Sequence, residues 1–352
     1  MKQEALIFSR WMEGTGPDKD IVISSRVRLA RNLEGQPFPC LAADEITAAI
    51  LKQVEDMVSG QNGFADFSFQ MMEKTPVLEK QALVEKHLIS PLLARGAKNG
   101  AVLLSKDEAL SIMINEEDHL RIQAILPGLQ TEEALKMANR CDDQLEKPLR
   151  YAFDEQYGYL TACPTNLGTG LRASVMLHLP ALIMTGQVNR FLGVLSQVGL
   201  AVRGLYGEGS EIVGNLVQIS NQVTLGQNEN EIIGNLNSVM RQVIEQEQEA
   251  RQALLDKKRA ELADRAWRSL GLLKYAQVMS SHEAIQLISD LRLGFDLGLI
   301  KTVDHKLLNE LLVLIRPGCL QLLAGKELST AERNLERPVQ IKKALEQFQV
   351  KE

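Results

Sequence analysis

The sequence predicts an α+β fold: an antiparallel sheet flanked by helices, followed by an all-helical C-terminal domain. Three observations lead there. Short apolar segments joined by tight polar turns run through the first two thirds, with amphipathic segments between them, a mixture that favours antiparallel pairing over a doubly wound parallel sheet. Near residue 225 the pattern changes to helical periodicity and keeps it to the end. Hydrophobic residues make up 45% of the 352-residue chain and charged residues 24%, enough apolar material for ordinary folded cores.

The elements follow in order. In "DIVISSRVRLARNL" the period of two predicts a strand, with Ile21, Ile23, Val27 and Leu29 on one side and Ser24, Arg26 and Arg28 on the other. "AVLLSKDEALSIMINEEDHLRIQAI" reads as strand, turn at Lys106-Asp107-Glu108, strand, then a polar break. "RYAFDEQYGYLTA" predicts a hairpin around Asp154 to Gly158, and "GLAVRG" and "EIVGNLVQISNQ" two further strands. Helices are predicted over 44–59, 75–90, 131–145 and 185–197. From residue 228 to 271 one long pattern places Ile232, Ile233, Leu236, Val239, Met240 and Val243 on an apolar side. Further helical patterns follow, and Ser329 with Glu332 makes a capping-box start for the last. Pro338 predicts a break or kink in that helix. The expected division is 1–250 and 251–352, with a helix near 240–260 shared between the two parts.

Composition narrows the function. The net charge of −6 falls almost wholly on the first 244 residues, and an acidic surface argues against nucleic-acid binding. The longest apolar runs are far short of a bilayer span, and "MKQEALIFSRWMEG" lacks the apolar stretch of a secretory signal, so neither a membrane role nor secretion is expected. Cys40, Cys141, Cys163 and Cys319 form no CxxC pair, which predicts no zinc site and no disulfide framework, and a cytoplasmic setting.

The chemistry gathers on arginines. Arg26, Arg28, Arg121, Arg172 and Arg203 all lie at strand positions or turns beside glycine or polar residues. Converging guanidinium groups bind phosphate oxygens in planar, bidentate fashion, and they can hold a triphosphate where no GxxxxGK[ST] loop exists. The competing reading is separate surface ion pairs, each worth little. Glu117, in "NEEDHLR", would share a side with His119 and Arg121 if that segment is extended; Glu208 follows the glycine-rich turn of "RGLYGEG". A carboxylate beside a phosphate cradle can orient and deprotonate a nucleophile, and two carboxylates suit a guanidinium. Cys163 opens "CPTNLGTGLRASV" and becomes a reactive thiolate if a cation such as Arg172 lies near; otherwise it is an inert core cysteine.

Taken together, "SSRVRLAR", "NEEDHLRI", "CPTNLGTGLRASV" and "VRGLYGE…ISN" resemble the motifs of the phosphagen kinases, the ATP:guanidino phosphotransferases, in that family's order. The resemblance implies a phosphagen-kinase catalytic domain of the glutamine-synthetase-like type. It implies that Ser24, Ser25, Arg26, Val27 and Arg28, His87, Arg121, Arg172, Ala173, Ser174, Val175 and Met176, and Arg203, Gly204, Leu205, Tyr206, Gly207 and Glu208 bind ATP. His87 enters only through it. It also implies that Glu117 takes the proton of the guanidinium, with Glu208 as its partner and Cys163 against the guanidinium. Magnesium is implied on the oxygens of ATP, with no direct protein ligand. Where the family has an acid before "ISN", this chain has Gln218.

The "SRVR" strand begins near residue 20, without the helical domain that precedes it in kinases of small guanidines, and a helical extension follows at the C-terminus. That arrangement resembles the bacterial protein arginine kinases, and what it implies is phosphorylation of arginine residues in proteins, Clp-type degradation of the marked proteins, heat-shock control and a small activator protein. Stretches such as "LLNELLVLI" exceed what one thin helical layer needs to bury, which predicts a homodimer or higher homo-oligomer. A kinase of free arginine and a catalytically silent adaptor with a kinase fold are the alternatives. The subfamily's R-D-x-x-R-A motif for phosphoarginine corresponds to "RNLERP", in which Arg333 and Arg337 remain but Asn334 and Pro338 replace the acid and the alanine. The loss of a charge-assisted partner leaves two readings open, a phosphoarginine site and a plain basic helix face.

Overall fold

The computed structural model describes residues 9–60, 62–96, 98–188, 193, 195, 199–204 and 212–349. Its centre is an eight-stranded antiparallel sheet. The strands are β1 (Val22–Arg31), β2 (Phe67–Met71), β3 (Ala101–Ser105), β4 (Leu110–Ile114), β5 (Leu120–Pro127), β8 (Leu171–His178), β9 (Leu200–Gly204) and β10 (Leu216–Asn221), in the spatial order β2-β3-β4-β5-β1-β8-β10-β9. β6 (Phe153–Asp154) and β7 (Gly158–Tyr159) form the separate small hairpin the sequence predicts.

The two faces of the sheet differ in chemistry because side chains alternate along each strand. Val27, Leu29, Ile122, Ala124, Ala173, Val175, Val217 and Ile219 point to one face. There they meet α1 (Asp44–Gly60), α4 (Thr131–Glu146), the short α5 (Pro180–Met184) and the first half of α6 (Glu229–Tyr275). On the other face, α2 (Val77–Glu85) and α3 (Pro91–Ala94) cover only the β3–β4 side, with Leu83, Leu88 and Leu93 against Val102, Leu104 and Met113. The opposite faces of β5, β1, β8 and β9 carry the arginines, and β10 adds Gln218.

α6 starts with a capping box from Asn228 and Glu231, and leaves helical geometry at Lys258. Its apolar side chains before that point pack on the sheet; Leu262, Ala266, Leu270 and Leu273 join a second core. That core is built with α7 (Ser281–Asp296), α8 (His305–Leu314), α9 (Pro317–Ala324) and α10 (Thr330–Gln349), and it also takes in Trp11, Met12, Ile23, Ile125, Met176 and Leu216. Among the described residues no single helix is long and apolar enough to cross a membrane.

Three expectations need correction. Ile23 does not join Ile21, Val27 and Leu29: β1 shifts register against β8 between Val22 and Ser24, and this irregularity turns Ile23 into the second core. The helix expected over 75–90 breaks after Glu85, because His87 adopts φ 62° and Ser90 caps a fresh turn that begins with Pro91. Within the helix expected over 185–197, residues 188, 193 and 195 are helical, 185–186 form a turn after α5 ends at Met184, and much of the remainder lies outside the described residues. α10 is not broken at Pro338. The carbonyl of Asn334, four residues before the proline, accepts from the Met279 N–H at 2.9 Å, so the acceptor freed by the missing N–H is satisfied. The capping box at its start is present: Ser329 N donates to Glu332, and Glu332 N to Ser329 Oγ.

Candidate active site

Strand register assembles the arginines. Arg28 lies opposite Arg172 on β8 and Gln123 on β5; Arg121 stands two residues before Gln123. Arg26 lies opposite Ser174, Met176 opposite Gln218, and Gln218 opposite Arg203. Residues directly opposite share a face, so Arg26, Arg28, Arg121, Arg172 and Arg203 converge from β1, β5, β8 and β9. Ser25, Val27, Ala173 and Val175 point the other way. They shape the strands, and Ser25 donates to the Gly128 carbonyl and accepts from Gln130 N, but none presents its side chain to the arginine face. Leu205, Tyr206, Gly207 and Glu208 lie outside the described residues.

Arg26 and Arg28 face neutral groups and other cations. Arg26 donates to Ser174 Oγ (3.3 Å) and to Gln218 Oε1 (3.1 Å), both neutral. Burial, then repulsion from Arg121, Arg172 and Arg203, pushes its pKa down from 12.5 to about 10. Burial and repulsion from Arg26, Arg121 and Arg172 lower that of Arg28 strongly as well, and the buried Nε of Arg28 has no hydrogen-bond partner. Arg121 pairs with Glu116 at 2.5 Å. Burial raises the Glu116 carboxyl, but Arg121 and the hydrogen bonds it accepts outweigh that and hold it below the usual carboxylate range. Buried cations packed against one another are costly without an anion, and phosphate oxygens are what this fork geometry matches.

A cleft of about 860 Å³ runs over this face. Arg26, Arg28, Arg121 and Arg203 line it, and so do His87, Gln218, Glu116 and Glu117. A smaller cavity of about 160 Å³ joins it at Arg28, Glu117 and Arg121, and adds Cys163, Thr165, Asn166, Gly170 and Arg172 to its walls. Ser24, Ser174 and Met176 border a narrow recess beside His87 and Arg26. Gly204 lines the large cleft.

The small cavity is held from below. Asp118 accepts from Asn32 Nδ2 (2.6 Å) and from Ala162 N (2.7 Å), tying the "NEED" turn to the segment that carries Cys163. Cys163 Sγ lies 3.1 Å from Thr165 Oγ1 and is partly exposed. Arg31, buried and paired with Asp142 at 2.7 Å, donates to the carbonyls of Ala30 and Thr169 and stands 3.6 Å from the Tyr159 ring centre. Gly170 has φ 67°, and a Cβ there would lie 2.6 Å from the Ala30 carbonyl oxygen and from Arg31. This explains the glycine beside Thr169: only a residue without a side chain lets the loop close on β1.

Glu117 faces both cavities. Burial raises its carboxyl above the ordinary range; Arg121 opposes this, and Asp118 and Glu116 add to it. His119 does not share its side. Asn115 takes φ 52° and the segment turns, so His119 is buried against the Leu33 N–H and the Pro37 carbonyl, a structural place. His87 is half-buried, and desolvation, then Arg26 and Arg316, lower its pKa to about 3, so it faces the cleft as a neutral ring. Sequence reasoning missed Glu116, Gln123, Gln218 and Arg316 as lining residues. Glu116 had a visible signal in its acidic run; Arg316 had none.

At the tail, Arg337 is buried. It donates to the carbonyls of Ile315 (2.9 Å) and Met279 (2.7 Å) and to Asn334 Oδ1 (2.9 Å). Arg333 donates to the Leu328 carbonyl and to Thr330 Oγ1. Pro338 is buried as well. These arginines act as clips on neighbouring backbone.

An arginine-walled cleft that meets a small cavity bearing a raised carboxylate and a thiol has the parts of a phosphoryl-transfer enzyme whose acceptor is itself cationic. Comparison with known proteins agrees. Residues 48–250 match the ATP:guanido phosphotransferase C-terminal catalytic domain, and residues 259–352 the protein-arginine kinase McsB C-terminal domain. The chain is 53% identical over 340 residues to a protein-arginine kinase of Brevibacillus brevis, covering 96% of this chain and 95% of that one. It is 53% identical over 338 residues to that of Halothermothrix orenii (96% and 97% covered) and 51% over 345 residues to that of Bacillus subtilis (97% and 94%). In fold it is similar to a lombricine kinase (TM-score 0.59, 23% identity, 70% of each chain). It is also similar to the duplicated taurocyamine kinase of Schistosoma mansoni (TM-score 0.59, 23% identity, 82% of this chain and 44% of that one). The chain belongs to the ATP:guanido phosphotransferase family, in its protein-arginine kinase branch.

Proposed function

We propose that this chain transfers the γ-phosphoryl group of ATP to arginine side chains of other proteins. The observation that carries the reading is the junction of the two cavities at Arg28, Glu117 and Arg121, where a triphosphate in the large cleft would meet a guanidinium in the small one. The guanidinium nitrogen attacks the γ-phosphorus, the bond to the bridging oxygen breaks, ADP leaves, and Glu117 accepts the proton the nitrogen sheds. A raised pKa makes Glu117 a better base than a solvated carboxylate. Arg28, Arg121 and Arg172 hold the equatorial oxygens in place as charge spreads over them, so positioning and electrostatics supply most of the rate gain. Cys163 lies against the acceptor, where a thiolate would favour the guanidinium geometry.

Magnesium carried on ATP would neutralise phosphate charge. The donor set fits a metal that arrives with the nucleotide: the lining is dominated by guanidinium groups, and Glu116 is engaged with Arg121. The reading extends to a cytoplasmic protein acting on accessible arginines of damaged or regulatory proteins, which marks them for Clp-type degradation in heat-shock control. A small activator and a homodimer formed through the helical domain belong to the same proposal. Allosteric binding of phosphoarginine at Arg333 and Arg337 has less support, since both guanidinium groups hold backbone carbonyls.

The test compares initial rates on an arginine-rich unfolded protein and on free arginine at equal guanidinium concentration with ATP and magnesium. Faster transfer to the protein is expected. Transfer to free arginine alone would replace the acceptor and keep the site.

A further inference from the structure

The large cleft has two ends. The arginine end, with Arg28, Arg121 and Glu117, opens into the small cavity. The other end is lined by His87, Gln81 and Val84 at the end of α2, and by two residues from the helical domain, Arg316 and Pro317. Arg316 is the N-cap of α9, 9% exposed, with its Nε donating to the Leu312 carbonyl at 3.3 Å. Its position is fixed from two sides. Arg337 donates to the carbonyl of Ile315, the residue before it. Glu85 of α2 accepts from Gly318 N and Cys319 N, both at 2.7 Å, which docks the start of α9 on α2. Gly318 is required there, since a Cβ would lie 2.6 Å from Gln81.

We infer that Arg316 is a nucleotide-binding residue, contacting the nucleoside end of ATP, so that the helical domain completes the nucleotide site. This rests on the nucleotide reading of the cleft. If the triphosphate lies among Arg26, Arg28, Arg121, Arg172 and Arg203, the base and ribose extend toward the remaining end. A neutral His87 ring, the aliphatic parts of Val84 and Pro317 and the flat face of a guanidinium are a lining suited to an aromatic base and a ribose rather than to more phosphate. The docking of α9 on α2 adds a cation from the helical domain to this lining.

The experiment titrates ATP and inorganic triphosphate by calorimetry into the full-length protein and into Arg316→Gln and Arg172→Ala. The glutamine can still donate to the Leu312 carbonyl, so that structural bond is kept, and melting curves report the fold. The inference expects Arg316→Gln to weaken ATP by about tenfold and leave triphosphate unchanged, with KM for ATP raised and kcat nearly kept. Arg172→Ala should weaken both ligands. Unchanged ATP affinity in Arg316→Gln, or equal loss of ATP and triphosphate, overturns the inference. Arg316→Ala serves as a second variant if the glutamine protein melts early, with the same two outcomes read below its Tm. Failure of the parent protein to bind ATP would instead sink the nucleotide reading of the cleft.

Discussion

Removing one cation from the cleft should make the ligand-free protein more stable. In Arg26→Gln the glutamine amide stands where the Arg26 Nε was and can still donate to Ser174, while the bond to Gln218 is lost. What disappears is a buried charge facing Arg121, Arg172 and Arg203. The pKa of Arg26 falls from 12.5 to about 10 in the folded protein. At pH 7 the group is charged in both states, so the whole penalty of the depressed folded pKa is present, and it fades only as pH rises past about 10. At about 1.4 kcal/mol per pKa unit the penalty is on the order of 3 kcal/mol. Lost contacts of the arginine's alkyl chain offset part of it, which leaves a net gain of about 1–2 kcal/mol. For a chain of this size that raises Tm by roughly 1–3 °C. Thermal melting at pH 7, without nucleotide and with saturating ATP, reads both halves of the argument. The variant should melt higher alone and gain less from ATP. An Arg26→Gln protein that melts lower than the parent without nucleotide would refute the idea that repulsion and desolvation at Arg26 cost stability until an anion binds.

Other expectations follow from single groups. Glu117→Gln should slow transfer by about 10²–10⁴-fold at unchanged stability. Because burial raises the Glu117 carboxyl and the base must be ionised, the parent's rate should fall as pH drops through that raised pKa, earlier than for a solvated glutamate; a pH–rate profile that stays flat down to the ordinary carboxylate range would contradict this. Gly170→Ala should distort the cavity loop and lower activity and Tm together, since its Cβ meets the Ala30 carbonyl at a positive φ; a variant that crystallises with the loop unmoved and works normally would contradict it. Arg337→Ala should cost about 2–5 kcal/mol in denaturant unfolding, because the Ile315 and Met279 carbonyls lose a charged donor in a buried place; a loss below 1 kcal/mol would show that water replaces it.

Most strands and helices were legible because their periods are local. β1, β3, β4, β9 and β10 follow from alternation and from turn residues between them, whereas β2 and β5 are not read from the sequence. β8 was less so, because the glycine turn before Arg172 drew attention away from the alternation that follows. The convergence of the arginines was expected from residue type, but the register that produces it was not. Arg28 meets Arg172 only through β1–β8 pairing, and no local pattern encodes which distant strands lie side by side. His119 went astray because the side it faces depends on one turn residue, Asn115, at positive φ. Ile23 went astray through a register shift that a strict period of two does not contain. Arg316 was invisible for a different reason. Its reach into the cleft depends on how α9 docks on α2 through Glu85, a tertiary contact with no signature in the sequence around it.

The central claim is that the cavity holding Glu117 and Cys163 receives a guanidinium borne on a protein. The most direct measurement incubates the full-length chain with ATP, magnesium and a basic unfolded protein, then locates phosphate by mass spectrometry at neutral pH, since acid cleaves the P–N bond. The account predicts phosphate on arginine, absent with Glu117→Gln and strongly reduced with Cys163→Ser. Phosphate on other residue types, or arginine phosphorylation that persists in Glu117→Gln, would contradict it.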